Sequence, residues 1–164
     1  MKREDLIKLL LSKMGRSIVR IEEMPNNDII MEIYTDDLVP IMVSMKKDED
    51  LRFTTLMNQL GVDYGESFAV IYNLYSFDLD NKLTVKVYMD KDNPEVDSVE
   101  HIFRGVNWFE RETYDLLGIR FKGHGNLERL LLPPDWEGHP LRKDYVYPEV
   151  YNGLELKRKT LLEE

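Results

Sequence analysis

Ser67-Phe68-Ala69-Val70-Ile71-Tyr72-Asn73-Leu74-Tyr75-Ser76-Phe77, then Asp78-Leu79-Asp80-Asn81, then Lys82-Leu83-Thr84-Val85-Lys86-Val87-Tyr88-Met89 is the stretch that decides the fold. Two runs rich in aromatic and β-branched residues flank a polar turn, which predicts a hairpin. Upstream, Leu51–Leu60 reads as a short helix or mixed segment stopped by Gly61, and Asp36 or Asp37 can cap a helix reaching about Lys46. Pro40 fits that helix only in its first turn, where its missing N–H costs nothing. Ser17–Met24 and Ile29–Tyr34 alternate as a second hairpin across Pro25-Asn26-Asn27-Asp28. Leu6, Ile7, Leu9, Leu10 and Met14 recur at helical spacing before Gly15. Downstream, Asp90–Pro94 is a polar loop and Asp97 or Ser98 can start a helical run through Phe103. The order α-β-β-α-β-β-α predicts an α+β domain over residues 1–118: one small antiparallel or mixed sheet of about four strands with helices on one face. Residues 119–164 are expected to form an irregular, extended C-terminal arm that binds a partner.

The last helix is the charged one, Asn107-Trp108-Phe109-Glu110-Arg111-Glu112-Thr113-Tyr114-Asp115-Leu116-Leu117-Gly118. Asn107 suits an N-cap with Glu110 three residues on, a capping box, and Gly118 supplies a left-handed stop. Trp108, Glu112 and Leu116 make an i, i+4, i+8 ridge, so Glu112 is expected among apolar neighbours. A carboxylate so placed needs a cation or a raised pKa, and Arg129, Arg142 and Lys143 are the candidate cations. Beyond the helix, Phe121 to Tyr145 contains three prolines and glycines at Gly123, Gly125 and Gly138, so no long regular element fits. Trp136, Leu141 and Tyr145 still call for burial against something.

Glu110-Arg111-Glu112-Thr113-Tyr114-Asp115-Leu116-Leu117-Gly118-Ile119, Gly123-His124, Leu127-Glu128-Arg129-Leu130-Leu131 and Asp135-Trp136-Glu137-Gly138-His139-Pro140-Leu141-Arg142-Lys143-Asp144-Tyr145 resemble the signature of the 30 kDa, or C, subunit of respiratory complex I. A run this long with matched spacing is a specific signal. Two departures are visible: His124-Gly125-Asn126 stands where the family usually has His-Pro-Asp, and Leu117 where it usually has an aromatic. The resemblance implies a subunit without cofactors of its own, bound to the hydrogenase-like large subunit and neighbouring iron–sulfur subunits. NADH or another donor, flavin, iron–sulfur clusters and quinone would lie in those other subunits. It implies a peripheral place on the cytoplasmic face of the membrane. Equivalent subunits occur in ferredoxin- or F420-linked membrane-bound hydrogenase-type complexes, which are the alternative. A partner-binding or structural role is carried over to Glu110, Arg111, Glu112, Tyr114, Asp115, Gly118, His124, Arg129, Trp136, Gly138, His139, Pro140, Leu141, Arg142, Lys143, Asp144 and Tyr145.

Composition bounds the rest. The chain has 164 residues, net charge −9 and no cysteine. An acidic surface disfavours nucleic acid and anionic lipid as general partners, and Lys157-Arg158-Lys159 is too small a cluster to reverse that. Without cysteine the chain can form no disulfide and no thiolate zinc or cluster site. Met1-Lys2-Arg3-Glu4-Asp5, with Lys8 breaking the next apolar patch, does not read as a signal peptide, and no apolar run is long enough to span a bilayer. Trp108 and Trp136 read as packing anchors, and Tyr72, Tyr75, Phe77 and Tyr88 as sheet packing.

A different class of function, a stand-alone acid–base or metal-dependent enzyme, would use Glu110, Glu112, Asp115 and His124. His101, His124 and His139 lack the close spacing of helical zinc motifs, and Gly123-His124-Gly125-Asn126-Leu127 is no nucleotide loop.

Overall fold

The computed structural model describes residues 3–25 and 28–156. Its centre is the hairpin of β4 (Ser67–Ser76) and β5 (Asn81–Asp90), paired antiparallel over their full length. Outside β4 runs β3 (Thr55–Asp63), antiparallel. Outside β5 runs β2 (Ile29–Ile33), parallel, and then β1 (Ile18–Glu23), antiparallel. The sheet is therefore mixed and five-stranded, in the order β1-β2-β5-β4-β3.

The fifth strand, β3, is a correction: it occupies most of the stretch Leu51–Leu60 that was expected to be helical or mixed. Asn58, Gln59 and Gly61 are weak strand formers, yet pairing with β4 and burial of Gln59 and Asp63 outweigh their propensity. Gly61 is no helix stop. A Cβ there would lie 2.5 Å from Thr113 Cγ2 and 2.6 Å from Leu117, because α3 (Val106–Leu117) lies directly on the strand.

α1 (Arg3–Met14), α2 (Leu38–Lys47) and α3 share one core with a single side of the sheet. Leu6, Leu10, Leu38, Met42, Phe53, Phe68, Val70, Tyr72, Val85, Val87 and Val106 sit in it, each at most 2% exposed. The helices thus occupy one face, as the α+β reading expects. The other face is held by side-chain bonds across strands, Asn73 Nδ2 to Asn58 (2.6 Å) and Thr84 Oγ1 to Asn73 (2.7 Å).

The expected helix from Asp97 through Phe103 is absent. β6 (Glu95–Asp97) pairs in parallel with β7 (Arg120–Lys122), and turns bridge residues 98 to 105. Val96 and Phe121, both buried, drive that pairing. A last small hairpin joins β8 (Val150–Tyr151) and β9 (Leu154–Glu155). Asn26 and Asn27 of the first expected turn, and the Lys157-Arg158-Lys159 cluster, lie outside the described residues.

Candidate functional site

The segment after α3 is organised by one carboxylate. Asp115 is fully buried. Its Oδ2 accepts three consecutive backbone N–H groups, from Leu130 (3.0 Å), Leu131 (2.7 Å) and Leu132 (2.9 Å), and its Oδ1 accepts Arg129 (2.8 Å). The chain has wrapped its own backbone around an anion, the arrangement that elsewhere holds phosphate. Burial works to raise the Asp115 pKa, but the three N–H groups and the guanidinium outweigh it and hold the carboxyl below its ordinary value. Arg129 then donates to the carbonyls of Trp136 (2.8 Å) and Gly138 (3.0 Å), tying the next turn to the same point.

The same segment closes the C-terminal end of α3, where the last carbonyls have no helical partner. Gly118 N–H takes Tyr114 O (2.8 Å), His139 Nδ1 donates to Asp115 O (2.9 Å), and Leu141 N–H takes Leu116 O (3.0 Å). Arg142 Nε takes Leu117 O (2.6 Å). The Arg142 guanidinium, and that of Arg129, which also donates to Asp115 O (3.2 Å), thereby meet the negative end of the helix dipole. His139 must donate from Nδ1 to a carbonyl, and burial, with Arg142 and Arg129 nearby, pushes its pKa down.

Gly118 is the residue that lets them in. Its φ is +74°, and a Cβ would lie 2.5 Å from both the Arg142 guanidinium and the His139 ring. We expect Gly118→Ala to cost about 2–4 kcal/mol, combining the left-handed backbone with overpacking. Chemical denaturation of the free chain checks this; a loss below about 1 kcal/mol would show that the two caps move aside freely. Gly138 has the same role one layer out: at φ +76° its Cβ would meet the Tyr145 ring at 2.7 Å, and Tyr145 OH donates to Glu137 O (3.0 Å). Lys143 N–H binds Asp63 Oδ2 (2.8 Å) and Asp144 pairs with Lys91 (3.0 Å), so the segment ends back on the sheet.

A second buried carboxylate sits elsewhere on the helix. Glu110 accepts Ser98 Oγ–H (2.6 Å) and Val99 N–H (2.9 Å), and His124 Nε2 is 3.9 Å away. Asn126 N–H donates to His124 Nδ1, so the neutral ring carries its proton on Nε2, 3.3 Å from Asn107 O. Burial pushes Glu110 up to about 7, against the pull of Ser98 and Val99 and with help from the Glu100 charge.

Three expectations are corrected here. The capping box does not form: Gly105 is the N-cap, Asn107 lies inside the helix and donates to Glu100 (2.6 Å), and Glu110 faces the core. Glu112 is exposed rather than bracketed, and its expected cation Arg129 belongs to Asp115. Trp108 is 59% exposed and anchors no core.

The acid–base set does not converge either. Glu110 and His124 are neighbours, Asp115 is enclosed by the following segment, and Glu112 points outward. Among the described residues no three His, Asp or Glu side chains are placed to hold a metal ion. Asp63, Ser98 and Glu100 join the two carboxylate sites without any sequence signal, because their partners lie far along the chain and leave no local pattern.

The family described as "Respiratory-chain NADH dehydrogenase, 30 Kd subunit" matches residues 31–151, which include both carboxylate sites and every residue of the α3 cap. The chain belongs to this family. A curated relative, the C subunit of NADH-quinone oxidoreductase from Chloroherpeton thalassium, is 38% identical over 151 residues, covering 91% of this chain and 63% of its own length. Its counterpart from Roseiflexus sp. strain RS-1 is 43% identical over 120 residues, 71% of this chain and 69% of that one. A solved trypsin-resistant fragment (1-134) of Nqo5 superposes with TM-score 0.65 at 27% identity, covering 74% of this chain and 98% of the fragment. A chain of the membrane-bound sulfane sulfur reductase, an archaeal respiratory membrane complex, reaches TM-score 0.76 over 89% of this chain and 86% of its own; at 22% identity that likeness is one of fold.

Proposed function

We propose that this 30 kDa-family chain is a peripheral subunit of a complex I-type NADH:quinone oxidoreductase that holds no redox group and braces the hydrogenase-like large subunit. The observation that supports it is a pinned segment with an apolar surface. Asp115, Arg129 and the α3 cap fix the backbone from Leu130 to Arg142; on it Leu131 (60% exposed) and Leu141 (58%) remain in solvent, and beyond it so do Val146 (85%) and Leu154 (68%). Exposed apolar side chains on a rigid support mark a docking surface. Fixing them in advance lowers the ordering cost of association. A brace of this kind keeps redox centres and reaction cavity in the partner subunits at constant spacing, on which coupling of electron transfer to ion movement depends. Among the described residues no helix is long and apolar enough to cross a membrane, so attachment there would run through the partner.

The test is affinity purification of the tagged chain from its own membranes in mild detergent. Recovery of a hydrogenase-like large subunit with iron–sulfur absorbance is expected, and the accompanying subunits name the electron donor. A chain that elutes alone and colourless overturns the reading. The double variant Leu131→Asp with Leu141→Asp is expected to weaken that co-purification at least about tenfold, as loss of apolar anchors does. Its thermal melt as a free chain should stay within about 2 °C of the parent, since exposed sites change stability little.

A further inference from the structure

We propose that the recess at the N-terminal end of α3, walled by Trp108, His101 and Arg104, docks an acidic segment of a neighbouring polypeptide. This goes beyond the bracing role and uses none of the apolar side chains assigned to it. Trp108 is 59% exposed. Its ring is backed by the Arg111 guanidinium, 5.2 Å from the ring centroid, and Arg111 is itself fixed by the carbonyls of Glu128 (3.2 Å) and Arg129 (3.3 Å). A large ring already held in place is the kind of group that carries interface energy.

Beside it lies a hollow of about 390 Å³ lined by Glu100, His101, Arg104, Asn107 and Trp108. A second hollow of about 460 Å³ shares His101 and Arg104 and adds Lys46. In a chain of net charge −9 the two hollows bring together two cations, Arg104 and Lys46, the latter also donating to Ile102 O and lying over the Phe103 ring. The Arg104 side chain makes no hydrogen bond or ion pair among the described residues, while His101 lies close enough to Glu100 to help lower its pKa. The one carboxylate lining the first hollow, Glu100, is already taken by Asn107, Gly125 N–H and His124. The first turn of α3 contains no acidic residue of its own; its Val106 and Asn107 N–H groups bond the Phe103 and Arg104 carbonyls.

A carboxylate answers Arg104 and Lys46, and an apolar side chain beside it answers Trp108. A phosphate-rich surface is the poorer match. It needs cations spread over an area, whereas here they are confined to one recess within about a Debye length and the rest of the chain repels anions.

The test places p-benzoylphenylalanine at position 108, and separately at position 141, in the assembled complex in its membrane. Each photoproduct is sequenced. The expected result is a link from position 108 to a partner peptide with an excess of Asp and Glu over Lys and Arg. A peptide without that excess, a lipid adduct, or no link from position 108 while position 141 still links to the large subunit overturns this inference and leaves the bracing role standing. Failure of both positions overturns both. In parallel, Arg104→Glu is expected to raise the dissociation constant of this chain from the remaining complex about tenfold at low salt and less at high salt. The free chain should melt as the parent does. An unchanged dissociation constant at both salt levels counts against the acidic partner.

Discussion

Asp115→Ala should lower the stability of the free chain by about 3–5 kcal/mol, the usual cost of removing one member of a buried charge pair, and the melting temperature by about 10 °C. Three things are lost together. The Leu130, Leu131 and Leu132 N–H groups are left without an acceptor, the Arg129 guanidinium is left half-buried and uncompensated, and the cap on Asp115 O loses the side chain that positions it. Asp115→Asn should recover little of this, because its amide presents a donor where only acceptors fit. The contribution also has a pH sign. The folded carboxyl sits below its ordinary value, so its stabilisation is full above the unfolded pKa and fades as pH falls through the folded one. A melting point within about 2 °C of the parent would mean that the segment does not depend on this anion.

Glu110 behaves in the opposite sense. Its folded pKa is raised from 4.5 to about 7, so the folded state holds a proton that the unfolded chain has released. Stability from this group is full below about 4.5 and is lost as pH rises through about 7, a change of at most about 3–4 kcal/mol at 1.36 kcal/mol per pH unit. His139, whose pKa is lowered, gains over part of the same range, and its contribution cancels in the difference between parent and variant. Glu110→Gln keeps an acceptor for Ser98 or Val99 and removes the titration. The variant should approach or exceed the parent at pH 8 and fall below it at pH 5. Parallel stability curves for the two proteins between pH 5 and 8 would place the Glu110 titration outside that window.

How much of this the residues announce depends on the range of the interaction. The β4–β5 hairpin and the amphipathic helix α1 are local patterns, and both stand as expected. Gly118 is legible because a left-handed helix stop is a local need. β3 is not, since Gln59 and Gly61 make sense only with Thr113 packed on them, 54 residues away for Gln59. The charged helix is recognisable as the centre of the site, but its ridge pattern places the demand for a cation on Glu112. Rotation about the helix decides otherwise: Asp115 turns inward, Glu112 outward, and periodicity alone cannot tell which charged residue a later loop will wrap. Arg129 is among the expected cations, but its acid is Asp115.

Residues 129 to 142 are anchored on α3 before any partner arrives, and the neighbouring apolar side chains wait for one. Amide hydrogen exchange on the free chain and on the assembled complex tests this most directly. Leu130, Leu131 and Leu132 should already be protected in the free chain, with Val146–Leu154 slowing further in the complex. Exchange of the three leucine amides at unfolded rates in the free chain, or no added protection across Val146–Leu154 on assembly, would contradict it.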